Sequence, residues 1–244
     1  MGVDRIDGGT VELAGQTLPV EIRVDPRARR LILRLARPNT VRVTCPSKRH
    51  VRAALKMVTE RKDWIADRLG EAATPIPFTP GTILPVLGTP TLIVADPNPR
   101  RAARLEHDQL ITGGITPKAM ARRVETSLRK VALDACQVEA QRLAALANVS
   151  VRGVTVRQMT SRWGSCTQEG VLCFNWRLIF APHAVLRYVV AHEVAHRLHM
   201  DHSPAFWAVV RKLDPDYRSA EKWLRDFGAE LHAYGETTPD DLAA

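Results

Sequence analysis

The stretch PHAVLRYVVAHEVAHRLHM, residues 182–200, decides the fold of the chain around it. Its initial proline suits the first turn of a helix, and the run that follows predicts a helix through about the end of the stretch. Inside this helix lies the H-E-x-x-H pattern at 192–196. At about 100° per residue, His192 and His196 project from the same face one turn apart, so their imidazole nitrogens can reach one tetrahedral ion. The spacing predicts a metal site.

Glu193 lies beside the two histidines in this pattern. It is too offset to share their coordination position easily, but it is well placed to take a proton from a water molecule on the metal. This division of roles is the one that a zinc-dependent hydrolase needs. Two histidines at this spacing can also be ordinary helix residues. A third histidine at usable spacing and the strand-like segments before the helix favour the metal site.

Catalytic zinc usually has three protein ligands and keeps a fourth position for water. His202 is the best candidate for the third ligand, because it follows His196 by six residues, beyond the predicted end of the helix. His199 is the rival candidate, but it lies about 10 Å along the helix axis from His192, which is too far for shared coordination. Cys166 is a weaker candidate for a fourth ligand in an inhibited state.

The overall composition is that of a globular protein. The chain has 244 residues, of which 45% are apolar and 25% charged, enough for one large domain or two small ones. Its four cysteines are scattered and form no C-x-x-C pair, and it has neither an apolar signal segment nor 18 consecutive apolar residues. These features predict a cytoplasmic protein with no membrane partner.

The net charge of +9 is unevenly distributed along the chain. Residues 1–80 contain 15 Lys and Arg against 9 Asp and Glu, residues 81–150 contain 9 against 6, and residues 151–244 contain 11 against 11. Such an excess can attract nucleic acid, nucleotides or acidic proteins. It can equally be a solubilising surface in an arginine-rich proteome, and the sequence leaves both interpretations open.

The order of the predicted elements indicates an α+β fold. Alternating apolar residues predict an antiparallel β-meander at 10–46 and a hairpin at 83–94, with a turn at Gly88. Further helices are predicted at 47–69, 117–147, 204–213 and 219–232. Two later strands are predicted at 154–158 and 171–180. We expect a β-rich N-terminal region at 1–115, a catalytic region at 116–234 and a flexible tail at 235–244, unless the first two form one continuous domain.

Four motifs in chain order carry a resemblance to a known family. They are SRWGSC at 161–166, NWRL at 175–178, HEVAH at 192–196 and HSPAFW at 202–207. Together they resemble the YgjP-like metallopeptidases, which are related to the SprT-type and WLM-type zincins, and the match extends over nearly the whole chain. The resemblance implies a minimal zincin-like helical and β catalytic half with HExxH on the active-site helix. It also implies that His202 is the third metal ligand.

Four further residues are candidates for substrate contacts. Arg162 and Trp163 stand where they can line the cleft, although Trp163 is as well explained by core packing. Asn175 can bind a ligand or stabilise a strand end, and the structural role is favoured. Tyr217 can offer its phenol to a developing oxyanion, but a surface tyrosine near a helix start is the commoner case.

Three functions remain open at this level. The first is a zinc metallopeptidase in which Glu193 is the general base and an edge strand near 157–163 pairs with an extended peptide. The second is a nucleotide or phosphoanhydride hydrolase, a pyrophosphatase, that uses the same site with Zn²⁺ or another divalent transition metal. In it the basic N-terminal half, with Arg162 and Arg177 near the motif, holds the phosphates. The third is a nucleic-acid-associated accessory protein with structural zinc, which would need a fourth ligand.

Overall fold

The computed structural model describes residues 3–13, 16–36, 40–70 and 74–235. Its contacts divide the chain into two compact units, Met1–Ala72 and Ala73–Ala244. Both units combine helices with mainly antiparallel sheets, so the α+β prediction is confirmed. The predicted division into a β-rich region at 1–115 and a catalytic region at 116–234 stays a prediction. Of the predicted tail at 235–244, only the first residue lies within the described part of the chain.

The first unit is built on a four-stranded sheet. Its strands are β1 (Asp4–Leu13), β2 (Gln16–Val24), β3 (Ile32–Ala36) and β4 (Thr40–Cys45), in the order β1-β2-β4-β3. The pairs β1–β2 and β3–β4 are antiparallel as predicted, but β2 and β4 are parallel, so the prediction of a meander is wrong at this pair. Alternation of apolar and polar residues shows which face of a strand is buried, but it does not show which strand lies beside it.

The helices of the first unit cover one face of this sheet. The predicted helix at 47–69 forms as a 3-10 turn (Lys48–His50), α1 (Val51–Glu60) and α2 (Lys62–Gly70). No glycine or proline marks the break at Arg61, so nothing in the local sequence indicates it. The helices and strands share a core that includes Val20, Ile22, Val41, Val43, Ala54, Val58 and Ile65.

The second unit begins with a small sheet and one long helix. The strands are β5 (Ile83–Val86), β6 (Thr89–Ala95), β7 (Arg104–Glu106) and β8 (Gln109–Thr112), in the order β5-β6-β8-β7. The turn of the predicted hairpin has positive φ at both Leu87 and Gly88, which matches the right-handed twist of the flanking strands. Helix α3 (Pro117–Ala147) begins as predicted, because Thr116 accepts a hydrogen bond from Ala119 N at 3.2 Å.

A three-stranded sheet and three helices complete the second unit. They are β9 (Gly153–Arg157), β10 (Gly164–Cys166), β11 (Val171–Asn175), α4 (His183–Ala195), α5 (Pro204–Leu213) and α6 (Tyr217–Phe227). The sheet has the order β10-β11-β9, so β10 lies at its edge in the described part of the chain. Helix α4 packs against α3, α6 and β10. It ends at Ala195, before the predicted end at Met200, because the next residues close i→i+3 turns.

Among the described residues, no helix is both long enough and apolar enough to cross a membrane.

Candidate metal centre

Three histidines converge at the C-terminal end of α4. His192 lies in the last turn of α4, His196 is the residue that caps it, and His202 lies in the loop that leads to α5. The loop is fixed at its end by Ser203, whose side chain caps α5 by accepting a hydrogen bond from Phe206 N at 3.4 Å. The structure therefore brings together the three residues predicted as metal ligands.

The spacing of the three imidazoles suits a single ion. Each histidine offers one nitrogen, and these nitrogens all lie within 4.8 Å of one another. The Nε2 atoms of His192 and His202 are 3.1 Å apart. In a tetrahedral zinc site with Zn–N distances of about 2.0–2.1 Å, two ligand nitrogens are about 3.3 Å apart. Within the described residues this group contains neither His199 nor Cys166.

The surroundings of the histidines prepare them as neutral ligands. His196 Nδ1 lies 2.9 Å from the carbonyl oxygen of His199, so a proton on Nδ1 is donated there and Nε2 is left for a metal. Burial and the neighbouring His196 and His202 lower the pKa of His192 to about 4. A neutral imidazole is the form that binds metal, and nitrogen ligands suit zinc and similar transition metals. The residues present therefore fit such an ion.

An aromatic cluster supports the three rings from behind. Phe206 is fully buried, and its ring centroid lies 4.6–4.8 Å from those of His192, His196 and His202. Trp207 contacts the rings of His192 and His202 at 5.8 Å and 6.2 Å. Both aromatic residues belong to α5, so packing of this helix against α4 restricts the ligand rings.

Glu193 projects from α4 against the edge strand β10. Its side chain is buried, and a methyl group added to Gly164 would lie 2.7 Å from Glu193 Cγ and closer still to Oε1. Only glycine at this strand position leaves room for the carboxyl group. Burial raises the pKa of Glu193 to about 8, and the positive charge of Arg162 opposes this shift. A buried carboxyl group with a pKa near neutrality, next to a metal-ligand set, is typical of a catalytic base.

The comparisons with known proteins agree with this geometry. The family profile for the YgjP-like metallopeptidase domain matches residues 29–227, which is most of the chain. The chain belongs to the YgjP-like family. Membership makes it a metal-dependent hydrolase of the metallopeptidase class and confirms the predicted family.

Two other comparisons add little to this assignment. The crystal structure of the metallopeptidase zymogen abylysin from Pyrococcus abyssi has 18% sequence identity and a TM-score of 0.34, and the match covers 38% of this chain and 92% of that one. A similarity this low supports no conclusion about this chain. No curated protein matches the chain.

The four predicted substrate contacts of this YgjP-like protein lie in different surroundings. Arg162 is exposed and close enough for its charge to act on Glu193. Trp163 is partly buried and packs on His232 with ring centroids 5.0 Å apart. Asn175 is fully buried, donates to Met159 O at 2.8 Å and accepts from the backbone of the 3-10 turn that follows it. These hydrogen bonds favour the structural role of Asn175.

Tyr217 lies behind the ligand rings at the start of α6. It is buried and stacks on Trp207, with ring centroids 5.6 Å apart, and on Tyr188 at 6.3 Å. Its hydroxyl oxygen accepts a long hydrogen bond from Arg218 Nε at 3.4 Å. This setting shows packing behind the histidines, and contact of Tyr217 with substrate stays a prediction.

Arg197 is a positioning residue that none of the sequence motifs predicted. It directly follows the HExxH motif, and its guanidinium group donates to Ser150 O at 3.1 Å and to Gln168 O at 2.8 Å. A methyl group on Gly170, where φ is +87°, would lie 2.9 Å from Arg197 Cζ. Arg197 therefore ties the β10–β11 turn to the end of α4. Its position next to the motif was the only sequence signal, since its partners are distant backbone carbonyls.

Replacing Gly164 by Ala tests the contact between β10 and Glu193. We expect kcat to fall by roughly 100-fold, because the added methyl group displaces the carboxyl group from its position. Zinc content should be unchanged, because the three histidines are not touched. Gly153→Ala in β9 is the matched control, since a methyl group there meets nothing within 4 Å. Equal activities of the two variants would contradict the assigned role of this contact.

The burial of Glu193 also predicts a pH-dependent stability in the metal-free protein. In the unfolded chain the pKa of this carboxyl group has its ordinary value of 4.5, but burial raises the pKa to about 8 in the folded state. The folded state therefore loses stability as pH rises from 4.5 to 8. Relative to wild type, Glu193→Gln should gain about 4 kcal/mol by pH 8 and almost nothing at pH 4.5. Urea unfolding of both proteins, in buffer with a chelator, measures this difference in the free energy of unfolding. A gain that does not change with pH would show that burial of the carboxyl group is not its cause.

Proposed function

We propose that this YgjP-like protein is a zinc-dependent peptidase in which Glu193 is the general base. The observation that supports this proposal most is the arrangement at the end of α4. Three imidazole nitrogens lie within 4.8 Å of one another, and the buried carboxyl group of Glu193 is next to them and against an edge strand. Three protein ligands leave a coordination position open, which is typical of catalytic and not of structural zinc.

Each group has a defined task in this proposal. Zinc, when bound by His192, His196 and His202, would polarise the scissile carbonyl group and make a water molecule more acidic. Glu193 takes a proton from that water and returns it to the leaving amine. A pKa near neutrality suits both transfers. Burial of the carboxyl group under Gly164 holds it in one orientation and keeps bulk water away from it.

The open edge of β10 is suited to an extended peptide. Trp163 O accepts from Asn175 N, and Thr167 N donates to Val171 O, so the odd-numbered residues of this segment bond to β11. By the alternation of an antiparallel ladder, the N–H and C=O groups of Gly164 and Cys166 face the other way, towards the free edge. A peptide added at this edge would pass next to Glu193, which contacts Gly164.

Arg162 is the best supported of the predicted substrate contacts. It precedes β10 by two residues, is exposed, and acts electrostatically on Glu193. In the proposed complex its guanidinium group binds a carbonyl or carboxylate group of the substrate.

A cytoplasmic location also remains part of the proposal, because the four cysteines are free, as expected in a reducing compartment.

The nucleotide alternative receives less support. Next to the motif it relied on Arg162 and Arg177, in addition to the basic N-terminal half, to hold phosphates. Arg177 is buried, lies over the ring of Trp176 at 4.6 Å and donates from Nε to Tyr234 O at 3.0 Å. These contacts favour a structural role for Arg177 over contact with a phosphate group. Of the two arginines, exposed Arg162 alone is then free to approach a substrate.

Parallel hydrolysis assays test the proposed function. Wild type and Glu193→Gln would be incubated with casein and, separately, with a panel of nucleoside triphosphates. We expect new peptide termini, detected by mass spectrometry, that are absent with the variant. Phosphate or pyrophosphate release that is lost in the variant, without peptide cleavage, would overturn the peptidase proposal and favour a phosphoanhydride hydrolase.

A further inference from the structure

One end of the sheet in the first unit carries a dense group of positive charges. It is formed by two segments, residues 25–31 after β2 and residues 46–52 after β4, which together we call the basic end. The first segment reads DPRARRL and the second PSKRHVR. The chemistry proposed for the second unit does not use either segment.

The sheet topology places these two segments side by side. Because β2 and β4 are parallel, both strands finish at the same end, with Val24 paired to Cys45. Asp25 N donates to Cys45 O at 2.9 Å, which joins the starts of the two segments. Strand β3 begins at this end as well, since Ile32 pairs with Thr44. Charges that are about twenty residues apart in the sequence therefore share one surface.

The basic end has few charges of opposite sign. Six of its cationic side chains belong to exposed residues: Arg27, Arg29, Arg30, Lys48, Arg49 and Arg52. Within the two segments Asp25 is the sole acidic residue, and it is engaged by Arg27 N at 3.0 Å and by Arg23 Nη2 at 3.4 Å. Lys48 pairs with Asp4 at 3.1 Å, but both groups are well exposed, so this pair is weak.

The start of the helical segment adds to this positive potential. The 3-10 turn and α1 have no acidic residue in their first turns and no side-chain cap, so no carboxylate of their own offsets the positive potential at this end. The positive end of the helix dipole therefore lies among the arginines of the basic end. Side chains and backbone together favour an anionic partner.

We propose that the basic end binds the phosphate backbone of double-stranded nucleic acid. Five of the six exposed cations are arginines, whose planar guanidinium groups bind phosphate in a bidentate manner. The two segments contain no exposed large hydrophobic residue, so they offer neither an aromatic platform for unstacked bases nor an apolar anchor for a membrane. The binding is therefore electrostatic and independent of base sequence.

Fluorescence anisotropy with a labelled short DNA duplex tests this proposal on the full-length protein. With six phosphate contacts, the slope of log K against log salt should be about −5, so that affinity falls about 1,000-fold between 50 and 200 mM salt. The variant Arg27→Gln, Arg29→Gln, Arg30→Gln keeps three of these contacts. Its slope should be about −3, with a loss of only about 60-fold over the same range.

A control variant separates this surface from net charge. Lys118→Gln, Arg122→Gln, Lys130→Gln removes the same charge from exposed positions on α3, and it should keep the wild-type slope and affinity. Equal losses in both variants would overturn the proposal, because net charge alone would then explain binding. Tighter binding to a polyglutamate peptide or to phosphatidylserine vesicles than to the duplex would overturn it as well. Circular dichroism confirms that both variants are folded.

Discussion

Purified His202→Ala protein is expected to bind zinc more than about 100-fold more weakly than wild type. Loss of a hydrogen-bond partner behind a ligand already costs about 10–100-fold, and this substitution removes a ligand itself. His202 is exposed and lies in a loop, so the fold should survive. His192 and His196 stay on α4 and would hold the ion with two nitrogens. Competition with a chromophoric chelator measures the zinc affinity of both proteins.

His199→Ala is the matched control for this experiment. His199 lies in the same loop, but only its backbone carbonyl contacts the site, where it accepts from His196 Nδ1 at 2.9 Å. That carbonyl group is retained in the alanine variant, so zinc affinity should stay close to the wild-type value. Wild-type affinity in His202→Ala, or a large loss in His199→Ala, would show that the third ligand is wrongly assigned.

Glu193→Gln is expected to lower kcat by roughly 100- to 10,000-fold, the usual contribution of a positioned general base. Glutamine has the shape of glutamate, so the close contact with Gly164 is preserved. It has no carboxylate to accept a proton from water. Because the three histidines are unchanged, zinc content and KM should change little. Steady-state kinetics on a casein-derived peptide, with metal analysis of the same samples, measures both quantities.

Glu230→Gln is a control with the same change of charge and size. Glu230 is exposed and lies in the 3-10 turn after α6, so this variant should keep wild-type kcat. A Glu193→Gln enzyme that retains its rate would exclude Glu193 as the base. Loss of zinc from that variant would instead point to a role in metal binding.

Local patterns in the sequence were enough to predict the cluster of three histidines and several elements. His192 and His196 follow from helix geometry, and His202 from the need for a ligand beyond the helix end. The start of α3 was readable from the proline at its first position. The turn of the β5–β6 hairpin was readable from Gly88, and its positive φ agrees with this role. Each of these signals acts within a few residues.

Features that depend on distant segments were not predicted. The parallel pairing of β2 with β4 depends on the path of the whole sheet, which alternation does not specify. Contact between Gly164 and Glu193 joins a strand to a helix 29 positions later, beyond the reach of any local pattern. Arg197 donates to backbone carbonyl groups. Every residue has such a group, so no residue type in the sequence identifies these acceptors.

Zinc titration of metal-free protein, followed by casein cleavage, tests the central claim most directly. The protein would be stripped with a chelator and supplied with increasing zinc. The proposed site predicts no cleavage without metal, a linear rise in rate and saturation at one equivalent per chain. Cleavage by the zinc-free protein, or full zinc binding without any cleavage of peptide bonds, would contradict a zinc peptidase site at His192, His196 and His202.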